Sequence, residues 1–226
     1  MIRGGPDRWV RPLAPGERRL FVAAPLGDAA REAVARLMRE LGAPPDGGRD
    51  PDPGAPPSAR LRWVRSANLH LTLRFLGATA PSSVPALEEA LDRAARASRP
   101  FEARLSGAGA FPSPARPRAV FLRVGDGARE LAALADRFSI ELAEGGWPPA
   151  ERPFAAHLTL ARSDGVPGAS AAVEALGAAA ATLDASWTVD RIVLFESILG
   201  GGPARYVALR TALLDGSALR DAAAAL

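Results

Sequence analysis

The sequence predicts an α+β fold built on antiparallel sheets, and two observations lead there. Strand-forming segments come in runs between helices instead of alternating singly with them, which disfavours a doubly wound parallel sheet. In addition, the tetrapeptide His70-Leu71-Thr72-Leu73 returns as His157-Leu158-Thr159-Leu160 within a second round of the same strand and helix order. These are the only two histidines among 226 residues, so the repeat points to one site assembled from two similar halves.

Residues 1–17 mix Arg, Pro and Gly without periodicity and read as a mobile leader. A single domain is expected over residues 18–215, with a tail at 216–226. Arg19–Ala24 opens it as a strand. Apolar residues at Val34, Leu37, Met38 and Leu41 give Asp28–Leu41 the spacing of an amphipathic helix, with Asp28 as its N-cap. The Pro-, Gly- and Asp-rich tract 42–58 reads as a long surface loop. Leu61–Val64 and Leu69–Leu76 are the next strands, the second closed by Gly77, and Pro85–Ser98 is the second helix. Strands at Phe101–Leu105 and Ala119–Val124 flank the turn-rich Phe111–Pro117, and a third helix runs from Ala128 to Ala143 before the breaker Gly145–Pro149. The second round gives a strand at Phe154–Ala161, an alanine-rich helix at Ala169–Ala181, and strands at Ser186–Phe195 and Arg205–Arg210.

Composition excludes several chemistries. Cysteine is absent, which removes disulfides, thiol nucleophiles and the common zinc and iron–sulfur frameworks. Lysine is absent too: all 28 basic residues are Arg. A Walker A lysine, a Schiff base or a lysyl-nucleotide intermediate therefore cannot form. Arginine favours bidentate phosphate contacts and so suits an anionic substrate, although a net charge of +3 is mild and by charge alone an Arg-for-Lys composition bias accounts for it better. No apolar run approaches the roughly 18 residues that span a bilayer, and no signal-peptide core opens the chain, so a cytoplasmic protein without membrane attachment is expected.

Within a strand, alternate side chains share a face. His70 and Thr72 therefore point one way and Leu71 and Leu73 the other, and the same holds for His157 and Thr159 against Leu158 and Leu160. Facing one groove, the four polar groups would supply two imidazoles for general acid and base work and two hydroxyls to hydrogen-bond an oxyanion. That set suits in-line attack at a tetrahedral phosphorus with one proton removed and one delivered. Carboxylates at ligand spacing are lacking beside the histidines, so no metal and no other cofactor is expected.

The ordered motifs resemble the 2H phosphoesterase superfamily, and most closely its RNA 2′,3′-cyclic phosphodiesterases, historically called 2′-5′ RNA ligases. Leu20-Phe21-Val22-Ala23 is similar to the family's opening strand. Trp63-Val64 with Asn68–Gly77 resembles its first motif, and Pro117–Phe121 its middle strand. Arg152-Pro153-Phe154 leading into His157–Arg162 resembles the second motif, and Glu196–Leu199 with Gly202 and Tyr206 the closing hairpin. The resemblance implies a bilobal fold in which two antiparallel sheets, related by a pseudo-twofold axis, flank a cleft with one His-x-Thr on each wall. It further implies hydrolysis of a 2′,3′-cyclic phosphate RNA end to a 2′-phosphate, together with reversible 2′-5′ joining. His157 would activate water, His70 would protonate the departing 3′ oxygen, and Thr72 and Thr159 would hold nonbridging oxygens; the symmetry of the repeat equally permits the reverse assignment of base and acid.

The chain departs from the family at Ala156, where proline is common, and at Ala155, where a larger polar residue is frequent. These changes are expected to loosen the approach to His157 and weaken contact with RNA. The 42–58 loop is also longer than the family pattern. Among the arginines, Arg162 resembles a phosphate-side residue but has the wrong parity for the His157 face unless the strand bends. Arg74 shares the parity of His70, which fits an approach to the RNA backbone and an exposed strand end equally, and Arg118 is carried by the resemblance alone. Trp63 and Phe75 are stacking candidates for a terminal base, with the parity of Phe75 favouring the core. The substrate class expected is RNA with a cyclic phosphate end, tRNA fragments included, acted on by a monomer. Hydrolysis of a small cyclic nucleotide such as ADP-ribose cyclic phosphate, and an RNA-binding module without turnover, are the alternative readings.

Overall fold

The segments rich in leucine, valine and phenylalanine pair into two antiparallel sheets. The computed structural model describes residues 12–48, 61–150, 153–163, 169–200 and 204–218. Most of the expected leader, residues 49–58 of the expected loop, Arg152, Gly202 and residues 219–226 of the expected tail lie outside the described residues. In chain order the elements are β1 (Arg18–Pro25), α1 (Asp28–Glu40), β2 (Arg62–Trp63), β3 (His70–Thr79), α2 (Val84–Arg96), β4 (Phe101–Phe111), β5 (Ala119–Val124), α3 (Ala128–Glu144), β6 (His157–Arg162), α4 (Ala169–Ala180), β7 (Ser186–Val189), β8 (Arg191–Ile198) and β9 (Arg205–Leu213).

One sheet has the order β3-β1-β8-β9 and the other β2-β6-β5-β4-β7. All pairings are antiparallel, as expected from strands that come in runs. The two histidine-bearing strands fall in different sheets, and β3 lies against β6 where the sheets meet. Helices close the outer faces through apolar stripes: Val34, Leu37 and Met38 on α1, Leu87 and Leu91 on α2, and Leu131, Leu134, Phe138 and Leu142 on α3 are all buried. Residues of both sheets and all four helices join one hydrophobic core, which includes Leu71, Leu73, Leu158 and Leu160.

Several boundaries differ from expectation for local physical reasons. Gly77 does not close β3. It adopts φ +72°, a left-handed conformation that glycine tolerates, in an irregularity that shifts the register with β1, and the strand continues to Thr79. The expected strand Ser186–Phe195 is two strands. The chain leaves the five-stranded sheet after Val189 and joins the four-stranded sheet at Arg191, turning at Asp190, whose carboxylate accepts two hydrogen bonds from the Arg191 guanidinium. Gly27, not Asp28, is the N-cap of α1, and Asp28 begins the helix as an ion-pair partner of Arg31 at 3.0 Å. β6 starts at His157 and not at Phe154, while β4 runs on to Phe111. Trp63 is 3% exposed and packs in the core, which removes it as a stacking candidate.

Leu71 and Leu158 are each fully buried beneath the strands that carry the histidines. Truncating either to alanine is expected to lower stability by about 2–5 kcal/mol. Urea unfolding midpoints measure this, and a loss below about 1 kcal/mol for either variant would contradict the packing described.

Candidate active site

Each imidazole is anchored the same way. The Nδ1–H of His70 donates to the Asn68 carbonyl at 2.7 Å, and the Nδ1–H of His157 donates to the Ala155 carbonyl at 2.7 Å. A carbonyl can only accept, so Nδ1 carries the proton in both rings and Nε2 is left with its lone pair. The acceptor is in each case the main chain two residues upstream, which any residue supplies. The alanines at 155 and 156 therefore leave the anchor of His157 in place. At His70 the lone pair is already engaged: the Thr72 hydroxyl donates to Nε2 at 2.9 Å.

Aromatic rings form the floor under each histidine. Phe21 and Tyr206 lie 4.9 and 5.3 Å from the His70 ring, with Phe195 at 6.4 Å. On the other wall Phe111 and Phe121 lie 5.0 and 5.1 Å from His157. These rings remove water, which penalises the imidazolium. His70 is pushed down to about 4 from its ordinary 6.5, chiefly by burial, with the Asn68 hydrogen bond opposing and the charge of His157 adding to the depression. His157 is also lowered, by burial first and then, against the Ala155 hydrogen bond, by the Arg162 guanidinium. The mutual influence of the two imidazoles and the contact of β3 with β6 place the repeats around one cleft.

A bulge sits at the same point of each repeat. Thr72 faces Ala23 and Arg74 faces Val22, so Leu73 is the extra residue in β3. Thr159 faces Phe121 and Ala161 faces Val120, so Leu160 is the extra residue in β6. Each bulge reverses the alternation that follows it. Phe75, opposite Phe21, is turned to the cleft side and is 71% exposed, with its ring 6.2 Å from that of Phe21. Arg162 is likewise turned to the cleft side. Its charge lowers the pKa of His157 and opposes the burial that raises the Tyr206 hydroxyl.

The bulges thus decide where the expected site residues go. His70 lies against Thr72, His157 feels the charge of Arg162, Thr159 shares the His157 face of β6, and the bend required for Arg162 is present. Arg74 is corrected: the bulge turns it off the His70 face, and its guanidinium donates to the Pro148 carbonyl. Phe75 is corrected in the opposite direction, from core to cleft. Arg118 is exposed at the turn before β5, its amide donating to the Phe111 carbonyl and its carbonyl accepting from the Ser163 amide. Tyr206 faces Ser197 across β8 and β9, and its ring joins the floor of the site beside His70. The rings of Phe21, Phe111, Phe121 and Phe195 escaped sequence reasoning, because their shared face follows from register between strands distant in sequence. Among the described residues no group of three or more His, Asp or Glu is placed to hold a metal ion, and no helix is long and apolar enough to cross a membrane.

The neutral state of His70 has a measurable consequence. An unfolded chain protonates this residue near 6.5 and the folded protein only near 4, so between these values the unfolded state binds more protons. The contribution to stability is complete above about pH 6.5 and is lost as pH falls toward 4. His70→Asn is therefore expected to show a smaller loss of stability between pH 7 and pH 4.5 than the parent in urea titrations. An equal loss in both proteins would contradict the depressed value.

Comparison with known proteins places this geometry among relatives. Residues 28–200 match the 2′-5′ RNA ligase superfamily. The RNA 2′,3′-cyclic phosphodiesterase of Aeropyrum pernix is 38% identical over 141 residues, covering 62% of this chain and 78% of the relative. The Escherichia coli protein of the same description is 30% identical over 193 residues, covering 85% and 94%. The crystal structure of E. coli LigT complexed with 3′-AMP superposes with a TM-score of 0.65 at 27% identity, covering 88% of this chain and 98% of that one.

Proposed function

The chain belongs to the 2′-5′ RNA ligase superfamily, and on that premise we propose that it hydrolyses RNA 2′,3′-cyclic phosphate ends to 2′-phosphates by two-histidine acid and base catalysis, without a metal. The observation that carries this reading is the matched anchoring of the two imidazoles. Both hold Nδ1–H on a main-chain carbonyl and keep Nε2 for proton transfer, on facing strands of one cleft.

In the proposed step a water oxygen bonds to phosphorus as the bond from phosphorus to the 3′ oxygen breaks. His157 takes the proton from water and His70 delivers one to the departing 3′ oxygen, leaving a 2′-phosphate and a 3′-hydroxyl. Burial, with the Arg162 guanidinium beside His157, opposes imidazolium formation at both rings at rest, and neither environment prefers this assignment of base and acid over its reverse. His70 needs its proton, and the anionic phosphate brings the negative charge that its desolvated pocket lacks. The Thr72 hydroxyl, which donates to His70 Nε2 in the free protein, turns to a nonbridging oxygen when the phosphate arrives, with Thr159 holding the other. Arg162 neutralises the phosphate charge, and Arg118 lies near enough in the fold to assist the same wall. The exposed Phe75 offers its face to the terminal base.

The same step with an RNA 5′-hydroxyl in place of water, its oxygen bonding to phosphorus as the bond to the 3′ oxygen breaks, would join two RNAs 2′-5′, and its reversal would open that linkage. We extend the proposal to tRNA fragments as carriers of such ends, acted on by a monomer in the cytoplasm, with residues 18–215 working as one unit.

Purified protein incubated in EDTA with an oligonucleotide ending in a 2′,3′-cyclic phosphate is expected to release the 2′-phosphate product. His70→Ala and His157→Ala are each expected to slow the reaction by about 10²-fold or more. Near-normal rates in either variant would remove the two-imidazole mechanism. Turnover of small cyclic nucleotides alone would assign a small-molecule phosphodiesterase instead, and tight RNA binding without turnover an RNA-binding module.

A further inference from the structure

Beside the His70 wall lies a second concavity of about 410 Å³, and its lining includes Asp46, Arg65, Ser66, Asn68, Arg205 and Tyr206. It is continuous with the site just described. Tyr206 packs edge-on to the His70 ring, and Asn68 offers its carbonyl to His70 Nδ1 while its side-chain amide donates to the Ala204 carbonyl at 2.7 Å. One residue therefore ties the far wall of the concavity to the imidazole.

The shape is held by the main chain. Gly48 and Trp63 exchange two backbone hydrogen bonds at 2.9 and 2.7 Å, which fixes the turn carrying Asp46 against the segment carrying Arg65. Gly47, at φ +70°, approaches so closely that a Cβ there would meet the Arg65 amide nitrogen at 2.9 Å. The cations are only loosely committed. Arg65 reaches Asp46 at 3.7 Å, and the Asp46 side chain is 92% exposed, so water screens that pair. Arg205 is exposed and has no carboxylate partner among the described residues. Two guanidinium groups against one carboxylate leave the concavity positive.

Along β3 the order is this concavity at Asn68, then His70 and Thr72, then Phe75 on the far side. A cyclic phosphate held at His70 lies beside this concavity, which shares Asn68 and Tyr206 with the surroundings of that imidazole and is open to the 5′ oxygen of the bound ribose. That oxygen carries the phosphodiester to the rest of an RNA chain. We infer that Arg65, Asn68 and Arg205 form a subsite for the phosphodiester next to the reacting end of an RNA chain. This inference rests on the reading of the site given under Proposed function and adds to it the residues that hold the chain beyond the reacting nucleotide.

The test is binding, measured by fluorescence anisotropy, of a short 5′-labelled RNA ending in a 2′-phosphate, with a nucleoside 2′-phosphate as competitor. The RNA is expected to bind at least about tenfold more tightly than the nucleoside. In the double variant Arg65→Gln with Arg205→Gln that advantage is expected to vanish, and the slope of log affinity against log salt to become shallower by about 0.7, the loss of one single-strand phosphate contact. Asp46→Asn, a change at an exposed side chain, is expected to act oppositely and strengthen RNA binding about twofold by releasing Arg65. Equal affinity for RNA and nucleoside, or an undiminished advantage in the double variant, would overturn the subsite. Turnover of an RNA ending in a 2′,3′-cyclic phosphate tests the reaction separately. No 2′-phosphate product from it, beside an intact RNA advantage in binding, would strike the reaction and leave the subsite standing.

Discussion

Four leucines govern what the cleft presents. Leu71, Leu73, Leu158 and Leu160 are buried beneath the two sheets, and each contributes on the order of 1.5–3 kcal/mol by leaving water. Slipping either strand by one residue would expose its two leucines and bury its histidine and threonine, so the register is strongly set. The imidazoles face the cleft because the leucines cannot. The bulges follow the same logic: they come at Leu73 and Leu160, after the register of the His-x-Thr is secured, and they are free to re-aim what comes next.

That re-aiming makes the two halves unequal. The repeat supplies the same four-residue unit to both walls, and the residue three positions past each threonine then differs in chemistry: Phe75 on one wall and Arg162 on the other. An aromatic face opposite a guanidinium is a sensible pair of ends for a nucleotide, with a base at one side and a phosphate at the other. The electrostatics are unequal as well. Aromatic rings desolvate both histidines, but only His157 also has a permanent cation nearby. The free site keeps both imidazoles neutral and is short of negative charge, so an anionic phosphate repairs the deficit that burial creates.

Much of this was legible in the sequence. The four-residue repeat, the alternation within it and the absence of Cys and Lys identified the polar quartet, and the grouping of strands identified antiparallel sheets. What was not legible depended on pairing between strands far apart in the chain. Arg74 and Phe75 were misplaced because a bulge has no signature in a run such as Leu-Thr-Leu-Arg-Phe; it arises from how β1 meets β3. The expected strand Ser186–Phe195 hid a change of sheet at Asp190, since buried apolar residues stand on both sides of it, Trp187 and Val189 before and Ile192, Val193 and Leu194 after. The anchors of the imidazoles were invisible because main-chain carbonyls carry no residue identity. Trp63 read as a site aromatic only because its burial comes from β6, which lies a hundred residues on in tertiary contact with it.

The central claim is that two imidazoles move two protons across one phosphorus in a single step. The most direct measurement is a proton inventory of kcat for hydrolysis of a 2′,3′-cyclic phosphate RNA end, in mixtures of H2O and D2O at the plateau of the pH profile. Two histidines acting together are expected to bow the plot downward as a quadratic in the deuterium fraction. A straight line would mean that only one proton is in flight, and a rate indifferent to deuterium would mean that neither histidine transfers a proton in the limiting step; either result would contradict the account.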